Sequence, residues 1–345
     1  MRKVLLTTTA LVAFGGVSTA SALDVSGSYS FDYRDTSNTG ASADAANVSG
    51  NTFGSDGLVK VSGEQTTDAG LTIGGFIAME TNSTTGNQAV SVEDQGAYIS
   101  GDFGYILMGQ TDGIVDVMDN FMTSGNVQEL GNGTDNSTST TSGQTVNLNA
   151  TSNTSDTEGQ AKIGYRSNEI SGFQFGISHG DAGSTATANN DNTSWIVTYD
   201  LGVAKIGYAG AKIKNASNTG ADVTQTHYGG STSFAGIGLN VGFGTDKTAG
   251  AAGAADTSKV DTQDLELTYS MDAASFFITT VKSEEKTGTN AGDKLSGQSY
   301  SMSYTIAPGA SLLLEYATTD YTDATSGGTN TDGKTQTAVS LNVSF

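Results

Sequence analysis

The last eight residues, Ala338-Val339-Ser340-Leu341-Asn342-Val343-Ser344-Phe345, alternate without a break. Val339, Leu341, Val343 and Phe345 fall on one face, and small or polar residues on the other. A period of two is the signature of a strand with unlike faces. The same pattern recurs at Trp195, Val197, Tyr199 and Leu201, at Ile237, Leu239, Val241 and Phe243, at Leu265, Leu267, Tyr269 and Met271, and at Tyr300, Met302, Tyr304 and Ile306. No stretch beyond residue 22 sustains a helical period with caps. The chain is therefore expected to be built of strands.

Connection lengths decide what the strands build. Sixteen segments read as strands, at about 24–35, 54–66, 71–81, 91–100, 105–111, 159–167, 173–180, 193–200, 203–212, 223–233, 237–245, 261–271, 275–285, 296–306, 310–321 and 335–345. Short turns, such as Gly101 to Gly104 and Ala307 to Gly309, alternate with long polar connections. The long ones cover roughly 36–53, 82–90, 112–158, 181–192, 213–222, 246–260, 286–295 and 322–334. A soluble sandwich has no reason to segregate loop length in this way. An outer-membrane barrel does, with short periplasmic turns and long extracellular loops. The expected fold is all-β: a sixteen-stranded antiparallel transmembrane β-barrel. Barrels of that size leave an aqueous channel, so the polar face looks inward and the apolar face meets lipid. An apolar fraction of only 36% suits a wet interior and polar loops.

Residues 1–22 read as a secretory signal peptide: Arg2 and Lys3, an apolar stretch from Val4 to Val17, and a terminal Ala20-Ser21-Ala22. Residues 23–345 would then form the mature barrel. With Arg2 and Lys3 removed, 13 Lys and Arg face 36 Asp and Glu, a net charge of −23. Such a polyanion repels nucleic acid and attracts cations. The absence of Cys excludes disulfide scaffolds, thiolate metal sites and thiol catalysis, and two His leave little for a multi-His centre.

The segment Gly101-Asp102-Phe103-Gly104-Tyr105-Ile106-Leu107-Met108-Gly109-Gln110, followed by a long loop, resembles the signature of Gram-negative general porins, nearest the alphaproteobacterial trimeric type. The terminal Phe345 on an alternating strand resembles the signal read by outer-membrane insertion machinery. The resemblance implies a homotrimer of barrels in the outer membrane, each with its third long loop, here 112–158, folded inward as a constriction. Two departures stand out: Gln110 replaces an Arg that many members carry, and the loop lacks a Pro-Glu-Phe-Gly-Gly element.

Charges lining the narrowest part of a pore set its selectivity. The loop supplies Asp112, Asp116, Asp119 and Glu129. Strand parity points Asp32, Arg34, Lys60, Lys162 and Arg166 inward, together with Glu80, Asp200, Glu266 and Glu315. The expected arrangement is a transverse field between loop acids and the wall bases Arg34, Lys60, Lys162 and Arg166. A catalytic role finds little footing. Gly176-Ile177-Ser178-His179-Gly180 fits G-x-S-x-G, but it ends a strand before a polar loop rather than turning into a helix. No cofactor is expected, although acidic loop segments such as Asp181 to Asp191 could take calcium. The expected partners are outer-membrane lipid and small hydrophilic solutes. The function that follows is passive diffusion with a cation preference. A substrate-selective channel, and a barrel with a structural or enzymatic role at the surface, remain as alternatives.

Overall fold

The computed structural model describes residues 23–38, 50–82, 89–118, 161–181, 190–215, 222–250, 256–288, 291–323 and 330–345. The segment expected to be a signal peptide lies outside them. Sixteen strands follow one another along the chain: β1 (Leu23–Asn38), β2 (Gly50–Thr66), β3 (Thr72–Asn82), β4 (Ala89–Gly101), β5 (Gly104–Gln110), β6 (Ala161–Arg166), β7 (Phe173–Asp181) and β8 (Asn190–Asp200). They continue as β9 (Ala204–Asn215), β10 (Val223–Phe234), β11 (Ile237–Thr248), β12 (Ser258–Met271), β13 (Ala274–Thr287), β14 (Lys294–Ala307), β15 (Ala310–Asp323) and β16 (Asn330–Ser344). Each pairs antiparallel with its sequence neighbours, and β1 pairs with β16, from Ser28 opposite Ser344 to Asn38 opposite Lys334. The barrel is closed. Among the described residues one short helix, α1 (Ile114–Met118), follows β5.

Alternation sets which face is wet. Val197, Tyr208, Leu239, Leu267, Ile278, Tyr300, Leu314 and Leu341 stay exposed on the outside, as a lipid-facing surface requires. Their neighbours Thr198, Glu266, Thr279, Ser299, Glu315 and Ser340 are buried on the inside. Most strands also run past the ranges read from alternation: β2 begins at Gly50 and β13 continues to Thr287. Ladder hydrogen bonds persist above the lipid band, where no apolar face is needed to mark them.

The short turns carry the backbone chemistry that tight hairpins demand. Ser171 and Gly172 have φ of 54° and 86°, and Ala235 and Gly236 have φ of 51° and 80°. Positive φ at both central residues matches the strand twist, and glycine takes the second position without strain.

Candidate pore constriction

After Gln110 the chain turns into the barrel. Thr111 and Gly113 are buried, and α1 lies against the inner wall of β6, β7 and β8. Ile114, Val115 and Met118 close an apolar cluster with Leu107, Ile196 and Ala209, flanked by Phe76, Tyr98 and Tyr105. Burying a side chain of that size contributes about 1.5–3 kcal/mol, so three of them hold the first turn of the loop firmly to the wall. The wall is shaped to receive it. A Cβ at Gly164 would stand 2.5 Å from Ile114 Cγ1, and one at Gly176 would stand 2.5 Å from Ile114 Cγ2 and 2.6 Å from Met118 Sδ. The Ile114 N–H, one of the orphan donors at a helix start, donates to Ser178 Oγ at 2.7 Å.

Ser178 is thereby committed to holding the loop. Its neighbour His179 faces the opposite side of the sheet, with Nδ1 2.9 Å from Thr193 Oγ1. The other histidine, His227, is buried on β10 near Asp246. The G-x-S-x-G match therefore forms no nucleophile elbow.

Beside α1 a row of side chains crosses β2, β3 and β4 to the residue that follows β5. Lys60 is opposite Ala78, Ala78 is opposite Asp94, and the Asp94 carboxylate accepts a hydrogen bond from the Thr111 side chain. Ala78 is small and buried, which lets the charges on either side of it act on each other. Asp94 feels the positive charges of Lys60 and Lys162 and the negative charge of Asp112. Glu93 feels Glu80, Asp94, Asp112 and Asp56. Five carboxylates thus gather around two ammonium groups where the loop enters the lumen.

All four wall bases face inward, but not together. Lys60 Nζ sits 4.6 Å from the Phe76 ring centroid, and Lys162 is buried on β6. Arg166 stacks over Tyr105 at 5.0 Å, four residues nearer the short turns than Lys162. There Tyr105 stacks on Tyr98, whose hydroxyl donates to Glu64 at 2.6 Å. Arg34 is separate, its Nε donating to Asp32 at 2.6 Å on β1. Of the loop acids, Asp112 is exposed in the turn before α1, and Asp116 lies on α1. Asp119 and Glu129 lie outside the described residues. Glu80, Glu266 and Glu315 face inward; Glu266 accepts from Asn240 at 3.0 Å and Glu315 from Ser299 at 2.9 Å. Asp200 serves a short turn, accepting from the Gly202 N–H at 2.6 Å.

Sequence parity missed Asp94 and Glu93 because β4 carries a bulge. The register shifts between Ala78 and Met79, so that Met79 opposes Val92 and Ala78 opposes Asp94, with Glu93 extra. Val90 and Val92 face outward before it, and Ala97 and Ile99 after it. That change from even to odd outward positions was present in the sequence as a signal. Gln110 faces outward and accepts a hydrogen bond from Gln95 at 2.7 Å. Its replacement of Arg therefore leaves the lumen charge untouched.

The family profile described as Gram-negative porin matches residues 7–324. No curated protein sequence matches the chain. Among solved structures, the anion-selective porin from Comamonas acidovorans superposes with a TM-score of 0.71 at 16% identity, covering 94% of this chain and 100% of that one. The trimer form of OmpT from Vibrio cholerae gives 0.68 at 13% identity, covering 95% and 100%. OmpF from Salmonella typhi, complexed with daunomycin, gives 0.68 at 15% identity, covering 94% and 97%. At such identities the likeness is one of fold.

Proposed function

Because the chain belongs to the Gram-negative porin family and forms a diffusion channel of the outer membrane, we propose that it passes small hydrophilic solutes, prefers cations, and carries no chemistry of its own. The observation behind the preference is the set of five carboxylates, Asp56, Glu80, Glu93, Asp94 and Asp112, around Lys60 and Lys162 beside α1. Inside a narrow, low-dielectric wall, an excess of fixed negative charge concentrates cations and excludes anions. An anion-selective porin of the same fold shows that the barrel itself does not decide the sign. The residues near the loop must.

The working unit is a homotrimer, exported by way of residues 1–22. The wall supports this assembly. β5 has seven residues and β6 has six. At about 3.4 Å per residue and a tilt near 40°, seven residues rise only about 18 Å, less than the apolar band of about 25 Å. A wall that low needs protein beside it. On its outer face sits the hydrogen-bonded pair Gln95 and Gln110, polar groups that a subunit contact accommodates and hydrocarbon does not.

Recording single channels of the mature chain in a planar bilayer under a KCl gradient tests the reading. Persistently open steps in groups of three, with a cation-selective reversal potential, are expected. An anion-selective reversal would overturn the charge argument, and a correctly folded barrel without steps would overturn the channel.

A further inference from the structure

Three inward-facing aromatic side chains stand together on the wall between α1 and the short turns: Phe76 on β3, Tyr98 on β4 and Tyr105 on β5. On β13 to β16 the inner face is instead mostly small or acidic, as at Thr279, Ser299, Glu315, Ala338 and Ser340. Two glycines let the rings lie along the wall. Phe76 is opposite Gly96, and Tyr98 is opposite Gly74. A Cβ at Gly96 would stand 3.1 Å from Phe76 Cζ, and one at Gly74 would collide with Tyr98 Cζ and Oη. Each ring therefore leans over the neighbouring strand instead of standing across the lumen. Tyr98 reaches past Gly74 to the Glu64 carboxylate on β2, donating at 2.6 Å, and its ring stacks on Tyr105 with centroids 5.3 Å apart and 28° between planes.

The rings form an oblique strip. Tyr98 lies two residues beyond Gly96 along β4, and Tyr105 is opposite Ser100, two residues further. At about 3.4 Å per residue and about 4.8 Å between strands, the strip covers about 14 Å along the strands and about 10 Å across them. All three rings are half-buried, so part of each stays accessible. Hydrogen-bonding groups border them. Lys60 Nζ lies 4.6 Å from the Phe76 centroid, Glu64 lies beside Tyr98, and the Arg166 guanidinium lies 5.0 Å from the Tyr105 centroid. Neither Lys60 nor Arg166 forms an ion pair among the described residues, and the Tyr98 hydroxyl engages only Oε2 of Glu64.

An apolar surface edged by charged donors and an acceptor fits a ligand with the same two characters. A pyranose ring has both: its C–H bonds form an apolar face that lies on an aromatic ring, and its hydroxyls form an edge that donates to a carboxylate and accepts from ammonium or guanidinium. We propose that Phe76, Tyr98 and Tyr105, with Lys60, Glu64 and Arg166, form an affinity site for short neutral oligosaccharides on the periplasmic side of α1. The site rests on the diffusion-channel reading above and names the class of solute that the channel favours. Organic cations fit less well, because Lys60 and Arg166 already occupy the faces of Phe76 and Tyr105 that a cation would seek. An aromatic carboxylate reaches only one of these bases, which stand on β2 and β6, and meets Glu64 beside the middle ring. Weak contact at successive rings holds a sugar without trapping it, as passage requires.

The test records the mature barrel in a planar bilayer in KCl, with maltotriose, a polyethylene glycol of equal mass, or benzoate added in turn. Maltotriose is expected to reduce the ion current saturably, at a half-blocking concentration at least tenfold below that of the polyethylene glycol, and benzoate to give no saturable block. Tyr105→Leu should raise the half-blocking concentration of maltotriose roughly three- to tenfold, and Glu64→Gln should raise it as well. Lys205→Gln, inward on β9 and away from the strip, should leave it unchanged. Equal block by maltotriose and polyethylene glycol would overturn the proposal, as would a maltotriose block unmoved by both Tyr105→Leu and Glu64→Gln. A saturable block by benzoate stronger than that by maltotriose would overturn it in favour of aromatic anions. The wild-type comparison needs no variant to fold. Open steps without saturable sugar block overturn the strip alone, whereas a folded barrel without steps overturns the channel.

Discussion

Asp94 concentrates the electrostatics beside α1 in one residue, since it accepts from Thr111 and feels Lys60, Lys162 and Asp112 at once. A unit charge acts on an ion 7 Å away in water with about 0.6 kcal/mol, close to RT, and so changes the local concentration of each ion by roughly a factor of two to three. Asp94→Asn should therefore lower the potassium-to-chloride permeability ratio several-fold, with single-channel conductance changed far less. Lys60→Gln should raise the ratio. Reversal potentials in a KCl gradient read both, and a ratio unmoved by Asp94→Asn would place the selectivity elsewhere in the lumen. At this scale the sequence was legible wherever alternation is regular. Arg34, Lys60, Lys162, Arg166, Glu266 and Glu315 all face inward as parity requires. It failed at Glu93 and Asp94, because one extra residue in β4 reverses every later assignment on that strand. It also left the face of Gln110 undetermined, since a motif match carries no information about which face a side chain takes.

Among the elements, α1 is the one whose position the sequence marked only through apolar residues next to acids. Of the apolar residues beside the loop acids, Val115, Val117, Met118, Phe121 and Met122, the structure buries Val115 and Met118 against the wall and leaves Val117 exposed, while Phe121 and Met122 lie outside the described residues. The seat itself was not visible, because nothing in a strand sequence says that Gly164 and Gly176 are small in order to admit Ile114 and Met118. Pairing across sixteen strands had to exist before those glycines could meet the loop. Gly176→Val tests the seat. Valine suits a strand, so the barrel should still assemble, but its side chain fills the space taken by Ile114 Cγ2 and Met118 Sδ. The start of the loop should leave the wall, and single-channel steps should grow larger and noisier while β-sheet circular dichroism is preserved. Ser178→Ala should act more gently, removing the acceptor of the Ile114 N–H at a cost of about 1 kcal/mol. Unchanged steps in Gly176→Val would mean that α1 does not bound the open pathway.

For the whole molecule, the acidic lumen and the low wall make separate demands. Fixed charge acts through solvent, so the cation preference proposed above should decline between 0.1 and 1 M KCl as the Debye length falls from about 10 to about 3 Å. Preference maintained at 1 M would point to direct ion coordination in place of a diffuse field. The assembly proposed above places another subunit against the outer face where Gln95 of β4 and Gln110 of β5 form a polar pair, beside β5 and β6, which are too short to span the apolar band alone. The double variant Gln95→Leu and Gln110→Leu distinguishes the two environments this face could meet. Against lipid, removing two amides from hydrocarbon would stabilise the barrel by easing a desolvation cost. Against another subunit, it would strip the contact of its polar groups and leave any partner amide unpaired, at about 1–3 kcal/mol per group. A lower dissociation temperature for the trimer band on unheated gels is therefore expected, with the monomer barrel unfolding as before. A band that survives to higher temperature would instead put this face in the bilayer, and the short β5 would then need the membrane to thin around it.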